Sequence, residues 1–232
     1  FGMDDFTRNG LFEVAKAATD ELDETEEELL RLRDAGAWPE FFRLAVHSRK
    51  NILISGATGS GKTLGFLVPL VQKLVRENPL TQAMMIVPSR ELALQIDQVF
   101  KSMGTGLKIT CCYGGHLRET EENNLIQPPA LIVGTPGRIA DHIRRENIRT
   151  EGINMLILDE FDKSLEQGFE EEMSFIIGSL PHISQRMLTS ATDTDEIPEF
   201  LGLKEPVKLN FLTGKLVDDL AIQYVESEDK DK

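Results

Sequence analysis

Eight residues with the spacing G-x-x-x-x-G-K-[ST] stand between a short apolar run and a helix-like stretch: Gly56, Ala57, Thr58, Gly59, Ser60, Gly61, Lys62 and Thr63. Glycines allow the backbone to wrap so that its N–H groups point at phosphate oxygens, and the following helix adds its positive N-terminal end. In this pattern Lys62 reaches the β- and γ-phosphates, and Thr63 offers its hydroxyl to Mg²⁺. The pattern predicts a nucleoside triphosphate site; a Gly-rich turn without a ligand is the structural alternative.

Two adjacent acids, Asp159 and Glu160, follow the apolar run MLIL at 155–158. Hydrolysis of a nucleoside triphosphate needs one acid to hold Mg²⁺, usually through water, and one to activate the attacking water. We assign Asp159 to the metal and Glu160 to the water, with Lys62 as the third catalytic residue. An ordinary solvated strand end is the alternative. The four histidines show no metal-ligand spacing, so no zinc site is predicted.

These residues must be positioned by the short apolar runs that alternate with helix-like stretches in the middle of the chain. The pattern predicts strands over 51–55, 83–88, 108–113, 130–135, 155–159, 186–190 and 206–211. It predicts helices over 62–76, 90–103 and 166–180, and one that starts at Gly137. Because the runs are apolar on both faces, we expect an α/β fold with a mostly parallel sheet and helices on both faces. Ligands of such folds bind at the carboxyl ends of the strands.

The charge of the chain is unevenly distributed. The 232 residues are 41% hydrophobic, which excludes disorder throughout, a collagen and a disulfide scaffold. The formal net charge of −14 argues against nucleic-acid binding when it is taken alone. However, residues 1–40 carry −8 and residues 213–232 carry −3, so the middle of the chain carries only −3. A local groove for a phosphate backbone therefore remains compatible with the composition.

The N-terminal region 1–40 is predicted to be an acidic extension. Its leucines form a weak apolar stripe, which predicts a surface helix. It is either a solvated arm or a docking site for a basic protein partner. Adjacent Cys111 and Cys112 are predicted to be small buried side chains rather than a disulfide. Without a disulfide framework, a signal peptide or an apolar run of ~20 residues, we expect an intracellular protein with no membrane segment. The chain opens at Phe1, so we expect the natural N-terminus to lie upstream.

Further short segments follow the predicted strand ends in a fixed order: Pro88-Ser89-Arg90-Glu91-Leu92-Ala93, Gly114-Gly115, Thr135-Pro136-Gly137-Arg138, Asp159-Glu160-Phe161-Asp162 and Ser190-Ala191-Thr192. With the phosphate loop, this order resembles the first RecA-like domain of the DEAD-box RNA helicases over roughly residues 50–225. The resemblance implies a RecA-like P-loop NTPase fold over 41–212 and an ATP-dependent RNA helicase with ATP and Mg²⁺ as its cofactors. It also implies that 213–232 begins a linker toward a second RecA-like domain.

The resemblance assigns further roles residue by residue. The residues expected to hold the RNA backbone are Pro88, Ser89, Arg90, Gly114, Gly115, Thr135, Pro136, Gly137 and Arg138. Arginine charge, and glycines that allow close approach, suit contacts to phosphate, so we expect binding that does not depend on base sequence. Simple turn chemistry is the alternative for each. The residues expected to couple the ATP site to RNA are Asp162, Ser190 and Thr192, and the resemblance implies that Ser190 and Thr192 hydrogen-bond to the acidic segment at Asp162.

The sequence departs from the family pattern in two places. Phe161 stands where the family has Ala, although Glu160 and Asp162 are kept. The adenine-recognising segment upstream of the phosphate loop normally ends in Gln, but the first Gln of this chain is Gln72. Three aromatic residues of that region either stack on the base or pack in the core: Trp38, Phe41 and Phe42. We therefore hypothesise that nucleotide selectivity is relaxed relative to the family.

The resemblance also implies that a second domain supplies an arginine finger, which is worth about 10³–10⁵ in rate. We therefore expect this chain to bind nucleotide, to hydrolyse it slowly and not to unwind RNA by itself. Three rival functions remain: a helicase-like translocase acting on DNA, a non-hydrolysing RNA clamp or scaffold, and an unrelated P-loop kinase. Intact Lys62, Asp159 and Glu160 argue against the clamp, and the ordered groove segments argue against the kinase.

Overall fold

The structure, a computed structural model, describes residues 23–48, 50, 52–55, 62–115, 117–191, 197–203 and 206–210. Within these residues, seven strands form one sheet: β1 (Ile52–Ser55), β2 (Ala83–Ile86), β3 (Ile109–Cys112), β4 (Leu131–Gly134), β5 (Met155–Leu158), β6 (Gln185–Ser190) and β7 (Val207–Asn210). The spatial order is β3-β4-β2-β5-β6-β1-β7, and every neighbouring pair is parallel. The prediction of a parallel α/β fold is confirmed.

Helices connect the strands and cover both faces of the sheet. They are α1 (Glu24–Asp34), α2 (Trp38–His47), α3 (Lys62–Lys73), α4 (Arg90–Ser102), α5 (Arg118–Leu125), α6 (Pro136–Arg144), α7 (Phe161–Glu166) and α8 (Glu170–Gly178), followed by a short 3₁₀ turn at Glu199–Leu201. The described strands all fall within their predicted ranges or begin one residue earlier. None of α1 to α8 is long and apolar enough to cross a membrane, and the same holds for the rest of the described residues.

Two hydrophobic cores lie on opposite faces of the sheet because successive strand residues point in opposite directions. Met84 and Ile86 of β2 pack with α6, α7 and α8, whereas the intervening Met85 packs with α1 to α4. All four residues of β2, β4 and β5 are buried. This burial on both faces is why these strands read as continuous apolar runs rather than as alternating ones.

The predicted helix over 166–180 is wrong in its first turn. The chain instead forms two helices, α7 and α8, separated by a turn in which Gly168 has a φ of +82°. Helix α7 begins directly after Glu160, which has a left-handed backbone with φ 51° and ψ 49°. The single apolar pattern across both helices concealed the break, because α7 and α8 bury residues in the same core.

The N-terminal helix α1 is packed into the domain. Leu29 and Leu32 are buried in the same core as Phe41 of α2. The Lys50 ammonium group holds the start of α1 through the carboxylates of Asp23, at 2.9 Å, and Glu26, at 2.8 Å. The predicted boundary at residue 40 falls inside α2. Helix α1 contributes Leu29 and Leu32 to the core of the domain. Residues 1–22 and 211–232, with the linker predicted over 213–232, lie outside the described part of the chain.

Candidate functional site

The carboxyl ends of six parallel strands lie along one edge of the sheet. The last residues of β3, β4, β2 and β5 are in register: Cys112 with Gly134, Gly134 with Ile86, and Ile86 with Leu158. Strands β6 and β1 end level with each other at Ser190 and Ser55, two residues beyond the end of β5, because Leu158 pairs with Leu188. Each segment singled out in the sequence begins at one of these ends. Parallel pairing therefore gathers segments that are far apart along the chain into one row.

The row has two halves because of the strand order. The ends of β3, β4 and β2 are neighbours, and they lead into the segments at 114–115, 135–138 and 88–90. We call this the groove half. The ends of β5, β6 and β1 are also neighbours, and they lead into the acidic pair, the segment 190–192 and the phosphate loop. We call this the nucleotide half.

The acidic pair forms a tight turn at the end of β5. Asp159 is only 3% exposed, and its backbone N–H continues the sheet by donating to the Ile86 carbonyl at 2.9 Å. Glu160 leaves the pleat through its left-handed backbone. The Lys163 ammonium group donates to Glu160 Oε2 at 2.7 Å, and this hydrogen bond raises the pKa of Lys163 above its ordinary value. The turn thus separates a buried carboxylate from a more accessible one.

Thr189 fastens this turn, and sequence reasoning missed it. Strand β6 runs two residues beyond the end of β5, which places Thr189 beside the acidic pair. Its hydroxyl donates to Asp159 Oδ1 and accepts the backbone N–H of Glu160 at 2.9 Å. A signal was present in the sequence, because a buried strand position that carries a hydroxyl requires a hydrogen-bond partner.

Asp162 lies beside the end of β6. Ser190 Oγ donates to Asp162 Oδ2 at 2.8 Å, and the Ala191 backbone N–H donates to the same oxygen at 3.0 Å. This is the pairing that the sequence predicts for Ser190, while its role in coupling stays a prediction. Thr192 lies outside the described residues. Phe161, the departure from the family pattern, is fully buried in the core, which accounts for the space that its ring requires.

The phosphate loop is described only at its two anchors. Strand β1 ends at Ser55, level with Ser190, and α3 begins at Lys62. Residues Gly56–Gly61 lie outside the described part of the chain, as does the Lys62 side chain. Thr63 is half-buried in the first turn of α3. The end of β1 therefore lies next to β6, in the nucleotide half.

Arg90 brings two segments of the groove half together. Its exposed side chain lies over the Tyr113 ring, with Cζ 5.4 Å from the ring centre, which is within the range of a cation–π contact. Gly115 has a φ of +94°, and a Cβ there would lie 3.4 Å from Arg90 Nη1. Ser89 caps α4 by accepting the Leu92 backbone N–H at 3.2 Å, so turn chemistry accounts for Ser89. Pro88 is buried.

Residues 135–138 form the junction between β4 and α6. The Thr135 backbone N–H donates to the Cys112 carbonyl at 3.0 Å, and a Cβ at Gly134 would collide with that carbonyl oxygen. Pro136 opens α6, where its missing N–H costs no helical hydrogen bond. An open depression of about 690 Å³ lies above this junction, lined by Gly114, Leu117, Arg118, Thr135, Gly137, Arg138, Asp141 and Phe169. The structure thus brings Gly114, Thr135, Gly137 and Arg138 together.

A buried carboxylate lies beneath the groove half, and sequence reasoning missed it as well. Glu121 is 1% exposed and accepts hydrogen bonds from the Tyr113 backbone, from Arg138 and from His142. It lies on α5, a helix whose sequence, RETEENNL, is too polar to show an apolar period. Its one signal was its place four residues before the apolar Leu125, on the same face of the helix, which is too weak to identify a buried charge.

Cys112, Glu121 and His142 are the one group of potential metal ligands found among the described residues. Both oxygens of Glu121 already accept hydrogen bonds, and the Arg138 guanidinium adds positive charge beside them. Burial raises the pKa of the Cys112 thiol well above its ordinary value. The group therefore fits a hydrogen-bond network and not a cation site. Cys111 is also a free thiol, and burial raises its pKa to about 12.

The aromatic residues proposed to stack on a base are accounted for in part. Phe41 and Phe42 are buried in the core, with their rings in edge-to-face contact and their centres 5.4 Å apart. Stacking of either ring on a nucleotide is therefore wrong for this structure, because both are enclosed by the core. The Trp38 side chain lies outside what the structure describes.

A parallel α/β sheet with an acidic turn after a central strand, together with a Gly-rich sequence between β1 and α3, is typical of RecA-like P-loop domains. Comparisons with known proteins narrow this class. The family model described as DEAD/DEAH box helicase matches residues 39–200. A crystal structure of a DEAD box protein from the hyperthermophile Methanococcus jannaschii superposes with a TM-score of 0.67 at 27% identity, covering 83% of this chain and 55% of that one. The chain therefore belongs to the DEAD/DEAH box helicase family.

Curated relatives carry matching names. ATP-dependent RNA helicase drs1 of Neosartorya fischeri is 39% identical over 168 residues, which cover 69% of this chain and 20% of that protein. Probable ATP-dependent RNA helicase DDX27 of Bos taurus is 38% identical over 168 residues, which cover 69% of this chain and 22% of that protein. The chain thus spans about a fifth of the length of these relatives.

Replacing Thr189 tests the fastening of the acidic turn. Thr189→Val keeps the shape of the side chain but leaves the Glu160 N–H and a buried Asp159 oxygen without this partner. We expect the free energy of unfolding, measured by urea titration, to fall by about 1–3 kcal/mol. Thr189→Ser retains the hydroxyl and should lose less than half as much. Equal stability of the Val variant and the natural chain would show that the hydroxyl does not hold the turn.

Proposed function

We propose that this chain is the ATP- and RNA-binding domain of an ATP-dependent RNA helicase that works with Mg²⁺. The observation that carries the proposal is the division of one sheet edge into two adjacent halves. One half gathers the acids and hydroxyls suited to a nucleotide, and the other gathers glycines, arginines and the start of a helix. Matching family membership and relatives named as RNA helicases support it.

In the nucleotide half, the backbone of Gly56–Gly61 and the Lys62 ammonium group would bind the phosphates. The oxygen ligands that Mg²⁺ prefers are present, since Thr63 carries a hydroxyl in the first turn of α3 and the Asp159 carboxylate lies at the end of β5. Bound Mg²⁺ supplies positive charge against the triphosphate. Thr189 fixes the Asp159 carboxylate in one orientation, which limits the reorganisation needed when the site fills.

Glu160 is the residue we assign to the attacking water. Its left-handed backbone turns the residue out of the sheet, and its N–H donates to the Thr189 hydroxyl. The Lys163 ammonium group donates to the Glu160 carboxylate. A carboxylate in this place can accept a proton from water as that water attacks the terminal phosphate. The proton is therefore held at a Glu160 oxygen during hydrolysis.

Asp162 and Ser190 are the residues we assign to coupling, together with Thr192. The hydrogen bond from Ser190 joins β6 to the start of α7, so a movement of either element alters the other. In the natural protein, a second RecA-like domain would close on the edge when ATP and RNA are both bound. Coupling of this kind requires that both ligands bind the closed state more tightly than the open one.

In the groove half, the segments at 88–90, 114–115 and 135–138 would hold the RNA sugar–phosphate backbone. Arg90 is exposed beside Gly115, and residues at the start of α6 line the depression together with Gly114. Helix N-termini and arginines suit phosphate and carry no base information, so binding should be independent of sequence. Directional, DNA-dependent ATP hydrolysis would favour the rival function of a DNA translocase.

Replacing Glu160 tests hydrolysis against the rival function of a non-hydrolysing clamp. In the natural full-length protein, we expect Glu160→Gln to lower RNA-stimulated kcat by about 10²–10⁴, because the amide cannot accept the water proton. Equilibrium binding of Mg²⁺ and ATP should change by less than about threefold. Phosphate release measures the first quantity and fluorescence titration of a labelled nucleotide the second.

Glu166→Gln is the matched control, since it makes the same change of charge at the exposed end of α7. Its kcat should equal that of the natural protein. RNA binding without hydrolysis in the natural protein would favour the clamp. An unchanged kcat in Glu160→Gln would show instead that Glu160 does not activate the attacking water.

Nucleotide selectivity is a separate test. The upstream Gln of the family is missing, and Phe41 and Phe42 are enclosed in the core, so neither replaces it by stacking. We expect ATP, GTP and UTP to support RNA-stimulated hydrolysis with kcat/KM values within about tenfold of one another. A strong preference for ATP would contradict relaxed selectivity and would point to a residue outside the described part of the chain.

A further inference from the structure

One buried carboxylate connects the two segments of the groove half that follow β3 and β4. Glu121 Oε1 accepts the Tyr113 backbone N–H at 2.8 Å, immediately before Gly114 and Gly115. Glu121 Oε2 accepts from Arg138 Nη1 at 3.1 Å and contacts His142 Nε2 at 2.6 Å. Arg138 and His142 lie four residues apart on α6, on the same face of the helix. Glu121 therefore joins the glycine pair to α6 through a single side chain.

The hydrogen bonds around Glu121 show which atoms donate, which accept, and which His142 nitrogen carries the proton. Asn147 Nδ2 lies 3.1 Å from His142 Nδ1 and also donates to Glu122 Oε1 at 3.4 Å, so it acts as a donor toward the ring. His142 Nδ1 is then an acceptor, and Nε2 carries the proton donated to Glu121. The charge of the carboxylate is balanced by Arg138. A buried charge is tolerated when it is paired and hydrogen-bonded in this way.

Arg138 belongs both to the hydrogen-bond network around Glu121 and to the lining of the depression. Its side chain is 16% exposed, one of its N–H groups is given to Glu121, and the residue lines the depression with Gly114, Thr135 and Gly137. A guanidinium has five N–H donors in a planar fork, so a group held from one side can still donate from the other. Glu121 fixes which side of Arg138 faces the depression.

We propose that Glu121 is a positioning residue for RNA binding, which holds Arg138 and the glycine pair in the arrangement that a phosphate backbone meets. This inference rests on the proposed function and adds a residue that does not touch RNA itself, because Glu121 is enclosed. The mechanism is preorganisation: an arginine and a loop already held in place lose less freedom when the ligand binds. Loss of the carboxylate should therefore weaken RNA binding and leave the nucleotide half intact.

The test is the RNA dependence of ATP hydrolysis in the natural full-length protein, with single-stranded RNA of mixed sequence. Glu121→Met keeps the length of the side chain and removes both acceptors. We expect the RNA concentration at half-maximal rate to rise about tenfold, while the rate at saturating RNA and the KM for ATP stay within about twofold. Glu121→Gln should recover part of the RNA affinity, because its oxygen in the place of Oε2 can still accept from Arg138 and His142, while its amide group meets the Tyr113 N–H without an acceptor.

Glu119→Met is the matched control, since it makes the same substitution at an exposed position of α5 and should leave the RNA dependence unchanged. His142→Phe is the second variant: it keeps a ring at this buried position, removes both ring nitrogens and should raise the half-maximal RNA concentration about threefold. If Glu121→Met does not fold, the half-maximal RNA concentration of His142→Phe tests the inference in its place, and an unchanged value would overturn it.

Three further results would overturn the inference. In the first, a folded Glu121→Met protein keeps the natural half-maximal RNA concentration. In the second, its maximal rate and KM for ATP change together with RNA affinity, which indicates general damage to the domain. In the third, the natural protein shows no RNA-stimulated hydrolysis and no RNA binding, and the proposed function then fails with it. The natural protein's own RNA dependence separates this last case from the other two.

Discussion

The register of the parallel sheet is the constraint on which the candidate site depends. Backbone hydrogen bonds between neighbouring strands hold Ile86, Gly134 and Leu158 level, so the segments that follow these three strands emerge at the same height. The chain visits the two halves of the edge in mixed order, starting with β1, passing through β2 to β4 and returning with β5 and β6. The strand order sorts these visits, so that β2 and β5 meet at the centre, where the two halves adjoin. A nucleotide and a phosphate backbone bound in their halves would therefore be neighbours.

Three buried carboxylates provide the fine positioning at this edge, and each is held by partners from another element. Asp159 is held by Thr189, Asp162 by Ser190 and the Ala191 backbone, and Glu121 by Arg138 and His142. Removing a buried charge from water is costly unless hydrogen bonds replace the lost solvation, so these contacts form only in one arrangement. Each pairing thus fixes the distance between two elements that the apolar cores alone would leave adjustable.

Sequence patterns sufficed for the sheet and for the row of segments, because both depend on local information. Apolar runs identify the strands, and residues that follow a strand end must lie at the sheet edge. Contacts between elements were out of reach. The partners of Thr189 and Glu121 lie 30 and 17 residues away along the chain, so no local pattern identifies those partners. The break between α7 and α8 was missed because both helices bury apolar residues in one core, and α5 was missed because it buries so few.

The most direct test of the divided edge is hydrogen–deuterium exchange of the backbone amides with one ligand present at a time. A non-hydrolysable ATP analogue with Mg²⁺ should slow exchange at residues 159–162 and 189–191, which belong to the nucleotide half. Single-stranded RNA should slow exchange at 113–115 and 135–138, in the groove half. Protection of the same residues by both ligands, or protection by RNA only in the nucleotide half, would contradict the account.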